Sequence, residues 1–372
     1  MGYQENMLPI AQKKIGNKVY IITSDREHEF FNNKKRRIKK ANIQNYKGVI
    51  LIRSDINFEL VNRFVVFKNL YKIINRIKPD YIFHHDLTAP SLFTVLNYKK
   101  NNPNVILVCD SHAEHANTAK TIISYFYHRI IWRNILRTRI KFIDKIFCIS
   151  PECIDFVRKI YNIPGEILRF LPLGGDISNI DNYNFFRNKY RNMLNVKEEE
   201  LLIIHAGKIV PAKKTEKLLN SLKFVNEKNI KLILVGSIYK EYKEILNKNI
   251  NNDKRITYIG WKNAEELSKI FCAGDVLIQP GSSSAIFEQA ICSGLPIVLR
   301  KTKLGQYLVS KDNGILLKKD DEREISKIII QLNKNKKILK KMHLNAINFA
   351  QTELSYREIA KKSISSARDI NH

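Results

Sequence analysis

The sequence contains no run approaching 18 apolar residues, so no transmembrane helix is expected. Its N-terminus carries no signal-peptide pattern, which points to a cytoplasmic protein. Five cysteines (Cys109, Cys148, Cys153, Cys272 and Cys292) show neither a CxxC pair nor zinc spacing. An odd count fits a reducing cytosol better than a disulfide framework. There is no low-complexity tract and no short repeat. Acidic residues are scarce beside basic ones, 36 Asp+Glu against 64 Lys+Arg, giving a net charge of +28. That surplus favours an anionic partner: nucleotide phosphates, anionic lipid or nucleic acid. Abundant Lys, Asn and Ile also fit AT-rich coding, so charge alone does not choose among these. The 372 residues, 44% of them hydrophobic, can build two domains with full cores.

What is present is a regular alternation of strands and helices. A helix-like opening ends at Gly16-Asn17, and a strand follows at 19–23. A doubly wound sheet normally has a strand before such a helix, so a first strand is expected to be missing. Residues 32–40 form a basic, exposed run. The pattern then predicts a strand at 49–54, an amphipathic helix at 58–78, a strand at 81–85, a helix at 91–100 and a buried strand at 105–112. Parallel doubly wound sheets bind ligands at the carboxyl ends of their strands, where His84, His85, Asp86, Asp110, Ser111 and His112 fall. Residues 121–142 are helical, aromatic and basic. Their Tyr125, Phe126 and Trp132, with Arg129, Arg133, Arg137, Arg139 and Lys141, suit an interfacial helix on anionic lipid, or a core helix with a basic outer face. Ser150-Pro151 looks like an N-cap with Pro at the first helical position. The Gly174-Gly175 pair is the best linker candidate.

A second α/β domain follows. Strands are expected at 201–209, 231–237, 256–261, 275–279, 297–299 and 313–318, with helices at 213–227, 241–248 and 265–273 between them. Lys-rich helices fill 322–368. The most informative stretch is 279–298, QPGSSSAIFEQAICSGLPIV. A buried strand runs into a Pro-Gly turn and three serines, Ser282, Ser283 and Ser284. A helix follows, stopped by Gly294 and Pro296. Strand, small-residue loop and helix start can bind a phosphate through free amides and hydroxyls. Glu288, one turn in, could accept hydrogen bonds from a ribose diol. An ordinary βαβ unit with an N-capping Ser and a solvated Glu would have the same pattern. Lys208 and Lys213, five residues apart around a turn, could grip a diphosphate or be solvated cations.

The order HAGKIVPAKK, LVGS, ITYIGW, PGSSSAIFEQAICSGLP resembles the nucleotide-sugar-binding half of GT-B glycosyltransferases, specifically glycosyltransferase family 4. Lys208 stands where the family usually has Arg, and Lys213 matches its Lys. Glu288 matches its second, ribose-binding Glu, and Gly294, Pro296 and Gly314 match its closing turns. In the first half, GYQENMLPIAQKKIGNKVYIIT resembles the family's first helix and second strand, with Asn17 where His is common. YIFHHD and CDSH resemble strands ending in functional His residues. The family's first Glu, eight residues before Glu288, falls at Pro280.

The resemblance implies a GT-B fold of two Rossmann-like doubly wound parallel-sheet domains facing across a cleft. Residues 1–173 would form the acceptor-side domain and 174–350 the nucleotide-sugar domain, with the helix of 351–372 packing back on the first. It implies transfer of a sugar from a nucleoside-diphosphate sugar to a saccharide or lipid-linked acceptor, with retention and without a metal or other cofactor. His112, Lys208 and Lys213 would be catalytic. Gly207, Ser283, Ser284 and Glu288 would bind the donor, and His85, Asp86 and Asp110 would line an acceptor or sugar pocket. A place in surface polysaccharide or glycolipid synthesis, with an anionic membrane surface as partner, would follow by analogy. A catalytically silent GT-B homologue and a GT-B nucleotide-sugar epimerase share parts of the pattern. The ordered motifs argue against a nucleic-acid-binding protein.

Overall fold

A computed structural model describes residues 4–28, 35–37, 42–60, 64–319 and 321–368. The chain divides into two compact units, one built on Leu173–Glu358, the other on Glu5–Pro172 with the segment from Ile359. The division falls inside the last helix, Tyr356–Arg368. The side chains of Gln12 and Tyr81 both donate to Ser363 of that helix, Gln12 to its hydroxyl and Tyr81 to its carbonyl, each at 3.0 Å.

The unit built on Leu173–Glu358 holds one six-stranded parallel sheet. Its strands lie in the order Ile256–Tyr258, Ile230–Val235, Leu201–Ala206, Val276–Gln279, Ile297–Arg300, Gly314–Leu317. Leu201–Ala206 and Val276–Gln279 are buried along their whole length, as expected for strands covered by helices on both faces. The chain winds outward in one direction from Leu201–Ala206, then returns and winds in the other from Val276–Gln279. The order therefore reverses between these two strands, and there a doubly wound sheet opens a crevice.

In the unit built on Glu5–Pro172 the strands form two main pieces. Four parallel strands run Leu168–Phe170, Lys145–Cys148, Ile106–Ser111, Tyr81–His84. Separately, Tyr20–Ser24 pairs in parallel with Val49–Ser54, which pairs antiparallel with Asn42–Tyr46. Doubly wound order places a leading strand between the second and fourth strands, that is between Tyr20–Ser24 and Tyr81–His84. The described residues supply none there, and the first described element is the helix Gln4–Lys14. Ile22 and Ile82, one from each edge, pack against the same core.

Two expectations are corrected. Residues 58–78 are not one helix: Ile56–Leu60 and Phe64–Phe67 form an antiparallel hairpin, and only Leu70–Ile77 is helical. Asn69 at φ 58° blocks a longer helix, and the alternation of Phe58, Leu60, Phe64 and Val66 has the period of a strand. The helix expected at 213–227 is shorter, Thr215–Ser221, preceded by the 3₁₀ turn Pro211–Lys213. Pro211 opens that turn and Lys214, at φ 53°, separates it from the helix. Most of the basic run at 32–40 lies outside the described residues.

Candidate active site

In the unit built on Leu173–Glu358 the polar loops gather where the strand order reverses. After Leu201–Ala206 the chain turns at Gly207, φ 112°. A Cβ there would lie 2.7 Å from Ile286 Cδ1. After Ile230–Val235 it turns at Gly236, φ 139°, where a Cβ would lie 1.8 Å from the Gly207 carbonyl oxygen. Only glycine permits this backbone-on-backbone approach. Gln279, at the end of its strand, donates from Nε2 to Ala206 O at 2.6 Å, tying the two central strand ends together. His205, fully buried, bonds Ile278 O through Nδ1 (2.9 Å) and Thr215 Oγ1 through Nε2 (2.8 Å). Burial lowers its pKa to about 4, so the imidazole is neutral. In the sequence Gln279 and His205 were only polar residues in apolar strands, with nothing to mark this bracing role.

Lys213 is buried, at 7% exposure. Its ammonium donates to Ser282 O and Ser283 O, both at 2.7 Å, and sits 6.0 Å from the Phe287 ring centroid. Ser282 N donates to Ala212 O at 2.8 Å. A Cβ on Gly281 would lie 2.3 Å from the Lys213 carbonyl carbon, so the two loops are pressed together. Lys213 thus holds the serine loop in place, with two of its three protons committed and one left for a ligand. Desolvation lowers its pKa to about 8. The expectation of free loop amides is corrected at Ser282, whose N–H is spent on Ala212. The alternative of an N-capping Ser does not hold either: the helix Ile286–Cys292 is capped by Ala285 with no side-chain bond. Ser283 and Lys208 are exposed, and Ser284 and Gly207 are half-buried.

Glu288 is not a solvated carboxylate. It is 1% exposed, and its Oε2 is buried with no hydrogen-bond partner among the described residues. Desolvation raises its pKa to about 7. A buried acceptor without a donor is expensive unless something supplies one.

In the other unit, Asp110 near the end of Ile106–Ser111 organises the polar strand ends. It is 2% exposed, and its Oδ2 faces His85 Nδ1 at 2.8 Å and His112 Nε2 at 3.2 Å. Its Oδ1 accepts from Asp86 N at 2.7 Å. Burial alone would raise the Asp110 pKa; bonds from His112 and His85 overcome it and hold the carboxyl well below its usual range. An ionised carboxylate only accepts, so both imidazoles present N–H to it. For His85, burial acts to lower the pKa, but the bond and charge of Asp110, with Glu5 and Asp86, raise it to about 9. The His85 and His112 rings meet edge to face at 5.0 Å. His85, Asp110 and His112 offer three ligand atoms within 4.8 Å of one another, a set that suits a shared proton network or a metal ion. Asp86, at φ 72°, spends its carboxylate on Thr88 N and Oγ1. His84 is buried against Ser91, and its pKa falls to about 4 by desolvation.

Two cavities, of about 580 and 470 Å³, lie elsewhere. The larger is lined by Lys228, Lys231 and Arg255, at the amino ends of the strands, opposite the loops just described.

Two α/β units with parallel sheets, one with its polar loops gathered at the switch point, define a class: enzymes of the two-Rossmann-domain GT-B architecture. The family descriptions "Glycosyltransferase Family 4" and "Glycosyl transferases group 1" match residues 11–179 and 186–349. The chain belongs to the GT-B glycosyltransferases of the family 4 type. An uncharacterized glycosyltransferase of Methanocaldococcus jannaschii is 25% identical over 319 residues, 80% of this chain and 76% of that one. Sucrose-phosphate synthase from Thermosynechococcus elongatus has a TM-score of 0.70 at 15% identity, covering 98% of this chain and 91% of that one. Anabaena HepE, solved in complex with UDP and glucose, has a TM-score of 0.63 at 16% identity, covering 87% of each chain.

Proposed function

We propose that this glycosyltransferase takes a nucleoside-diphosphate sugar as donor and passes the sugar, with retention and without a metal, to a saccharide or lipid-linked acceptor. The observation that carries the proposal is the buried, partnerless Oε2 of Glu288, in the same unit as the loop that Lys213 clamps. A ribose diol would supply the donors that this carboxylate lacks. The remaining Lys213 proton, the exposed Lys208 and the amides and hydroxyls of Ser283 and Ser284 would take the diphosphate. Negative charge grows on the leaving diphosphate as the sugar departs, so cations and donors already in place lower the barrier. In this scheme they serve where other transferases use a metal ion. His112 would bond a sugar hydroxyl, oriented by Asp110; His85 would share that carboxylate and border the acceptor. The UDP and glucose bound to HepE support a nucleotide-sugar donor. Synthesis of surface polysaccharide or glycolipid, by a cytoplasmic protein that docks on a membrane face, is the setting we propose.

The test is a panel of nucleoside-diphosphate sugars, reading released nucleoside diphosphate, with Glu288→Ala and Lys213→Ala alongside. Turnover of one donor, lost in both variants, supports the proposal. Donor binding without release, even with lipid acceptors added, points instead to a homologue that binds without turnover, for which Pro280 in place of the family's first Glu is the motive. No binding to any donor overturns the site.

A further inference from the structure

The segment from His115 to Ile143 contains six Lys and Arg and no Asp or Glu. From Ile122 the structure makes it a nearly continuous helix, with the α-helical turns Ile122–Phe126 and Arg133–Arg139 around a π-helical turn, Tyr127–Trp132. Of the aromatic residues expected to face lipid, Trp132 is instead buried, stacked on Phe93 at 6.2 Å. The outward face carries Ile122 and Ile123, at 76% and 83% exposure, then Phe126, Ile130 and Ile131, each about half exposed. Burial of one face against the core while branched apolar side chains stand in water on the other is costly for a monomer.

A second exposed apolar side lies on an element that packs against the helix. The hairpin of Ile56–Leu60 and Phe64–Phe67 pairs Phe58 with Val66 and Leu60 with Phe64, so the four share one side. Phe64 turns against Tyr127 of the helix, ring centroids 6.3 Å apart, while Phe58 and Leu60 remain 55% and 51% exposed. The only acid of these two strands, Glu59, is neutralised by Arg26. Cations border the apolar stripe: Lys120 before it, and Arg137 and Lys141, both exposed, after it.

We propose that helix and hairpin together form a docking surface for an anionic lipid bilayer. Ile122, Ile123, Phe126 and the hairpin's Phe58 enter the acyl boundary, and Arg137 and Lys141 meet the headgroup charges. An apolar stripe bordered by cations and free of unpaired acid has the chemistry of an interfacial element. A neutral protein groove would not require the absence of every carboxylate over so long a stretch, and an acidic one would not require branched side chains as exposed as Ile122 and Ile123. The proposal does not depend on the donor site, because its readout needs no nucleotide sugar.

The experiment is cosedimentation of the full chain with vesicles of phosphatidylcholine mixed with phosphatidylglycerol, and of phosphatidylcholine alone. Two variants separate the forces: Ile123→Ser with Phe126→Ser, and Arg137→Gln with Lys141→Gln. All four side chains are exposed, so circular dichroism should show the fold retained. Binding is expected to the anionic vesicles only. It should weaken about tenfold or more in the serine variant and roughly fivefold per cation removed in the glutamine variant. Equal binding by the serine variant and the unaltered chain would overturn insertion and leave only non-specific attraction from the +28 charge. Absence of binding, or equal binding to neutral vesicles, would overturn the docking surface. So would a concentration-dependent dimer that the serine variant abolishes, which would make this face an interface between two copies.

Discussion

Glu288→Gln tests the site without any ligand. The carboxyl is fully buried, and desolvation moves its pKa from 4.5 to about 7. The folded state therefore holds the proton more tightly than the unfolded chain does. Below pH 4.5 both states are protonated and the group is neutral to stability. As pH rises from 4.5 to 7 the unfolded chain ionises to a solvated carboxylate while the folded one keeps its proton; above 7 both are ionised and the penalty is complete. By pH 8 this destabilises the unit by about 3 kcal/mol relative to pH 4.5. Glutamine has nearly the same shape and no charge, so it removes the pH-dependent part and leaves packing intact. The assay is urea unfolding between pH 5 and pH 8, comparing the variant with the unaltered chain so that other titrating groups cancel. Trp261 lies in the same unit as Glu288 and Trp132 in the other, so Trp132→Phe leaves a single reporter on the relevant transition. Glu288→Gln should exceed the unaltered chain by no more than about 1 kcal/mol near pH 5 and by a few kcal/mol, about 3 at most, at pH 8. A difference that stays flat across this range would refute the claim that Glu288 Oε2 is buried without a partner. A donor whose ribose supplies the missing hydrogen bonds should narrow the gap, and in Glu288→Gln it should bind more weakly.

On the proposed mechanism Lys213→Ala should lower kcat roughly 100- to 1,000-fold, because the cation proposed to face the leaving diphosphate is lost together with the brace on the serine loop. With its pKa lowered to about 8, Lys213 loses its charge as pH rises through that value, so turnover should fall on the basic side near pH 8; in Lys213→Arg any remaining turnover should show no such limb. His85 is held protonated up to about pH 9, and that contribution to stability is complete below about 6.5 and lost as pH rises through 9. An NMR titration should show the high value in the unaltered chain and a return toward 6.5 in Asp110→Asn. Gly236→Ala should destabilise its unit by about 3 kcal/mol in urea unfolding, since its Cβ would overlap the Gly207 carbonyl. Prolonged chelation with EDTA should leave turnover unchanged if catalysis is metal-free; a loss restored by zinc would assign the His85–Asp110–His112 cluster a metal instead.

The sequence by itself determined the alternation of strands and helices, and with it the doubly wound class. Apolar strand runs such as LLIIHA and DVLIQ, each ended by glycine or proline, are local patterns that survive without tertiary information. The same locality placed His112 at a strand end, and Lys213 and Glu288 in the turn and first helical turn that follow strands, on the side where such sheets bind ligands. It failed where local signals conflict. The residues from Phe58 to Lys78 satisfy a helical count and a strand alternation at once, and the hairpin was settled by packing of Phe64 on Tyr127. Only the tertiary structure decided the state of each polar group. The Lys213 ammonium is turned onto two carbonyls some seventy residues along the chain, and one buried Asp110 carboxylate gathers two histidines. The Glu288 carboxylate, which has the spacing of a solvated helix residue, is sealed from water. Periodicity specifies which side of an element a residue occupies. Burial and partnership depend on what the rest of the chain brings against that side, and these set charge, pKa and therefore chemistry.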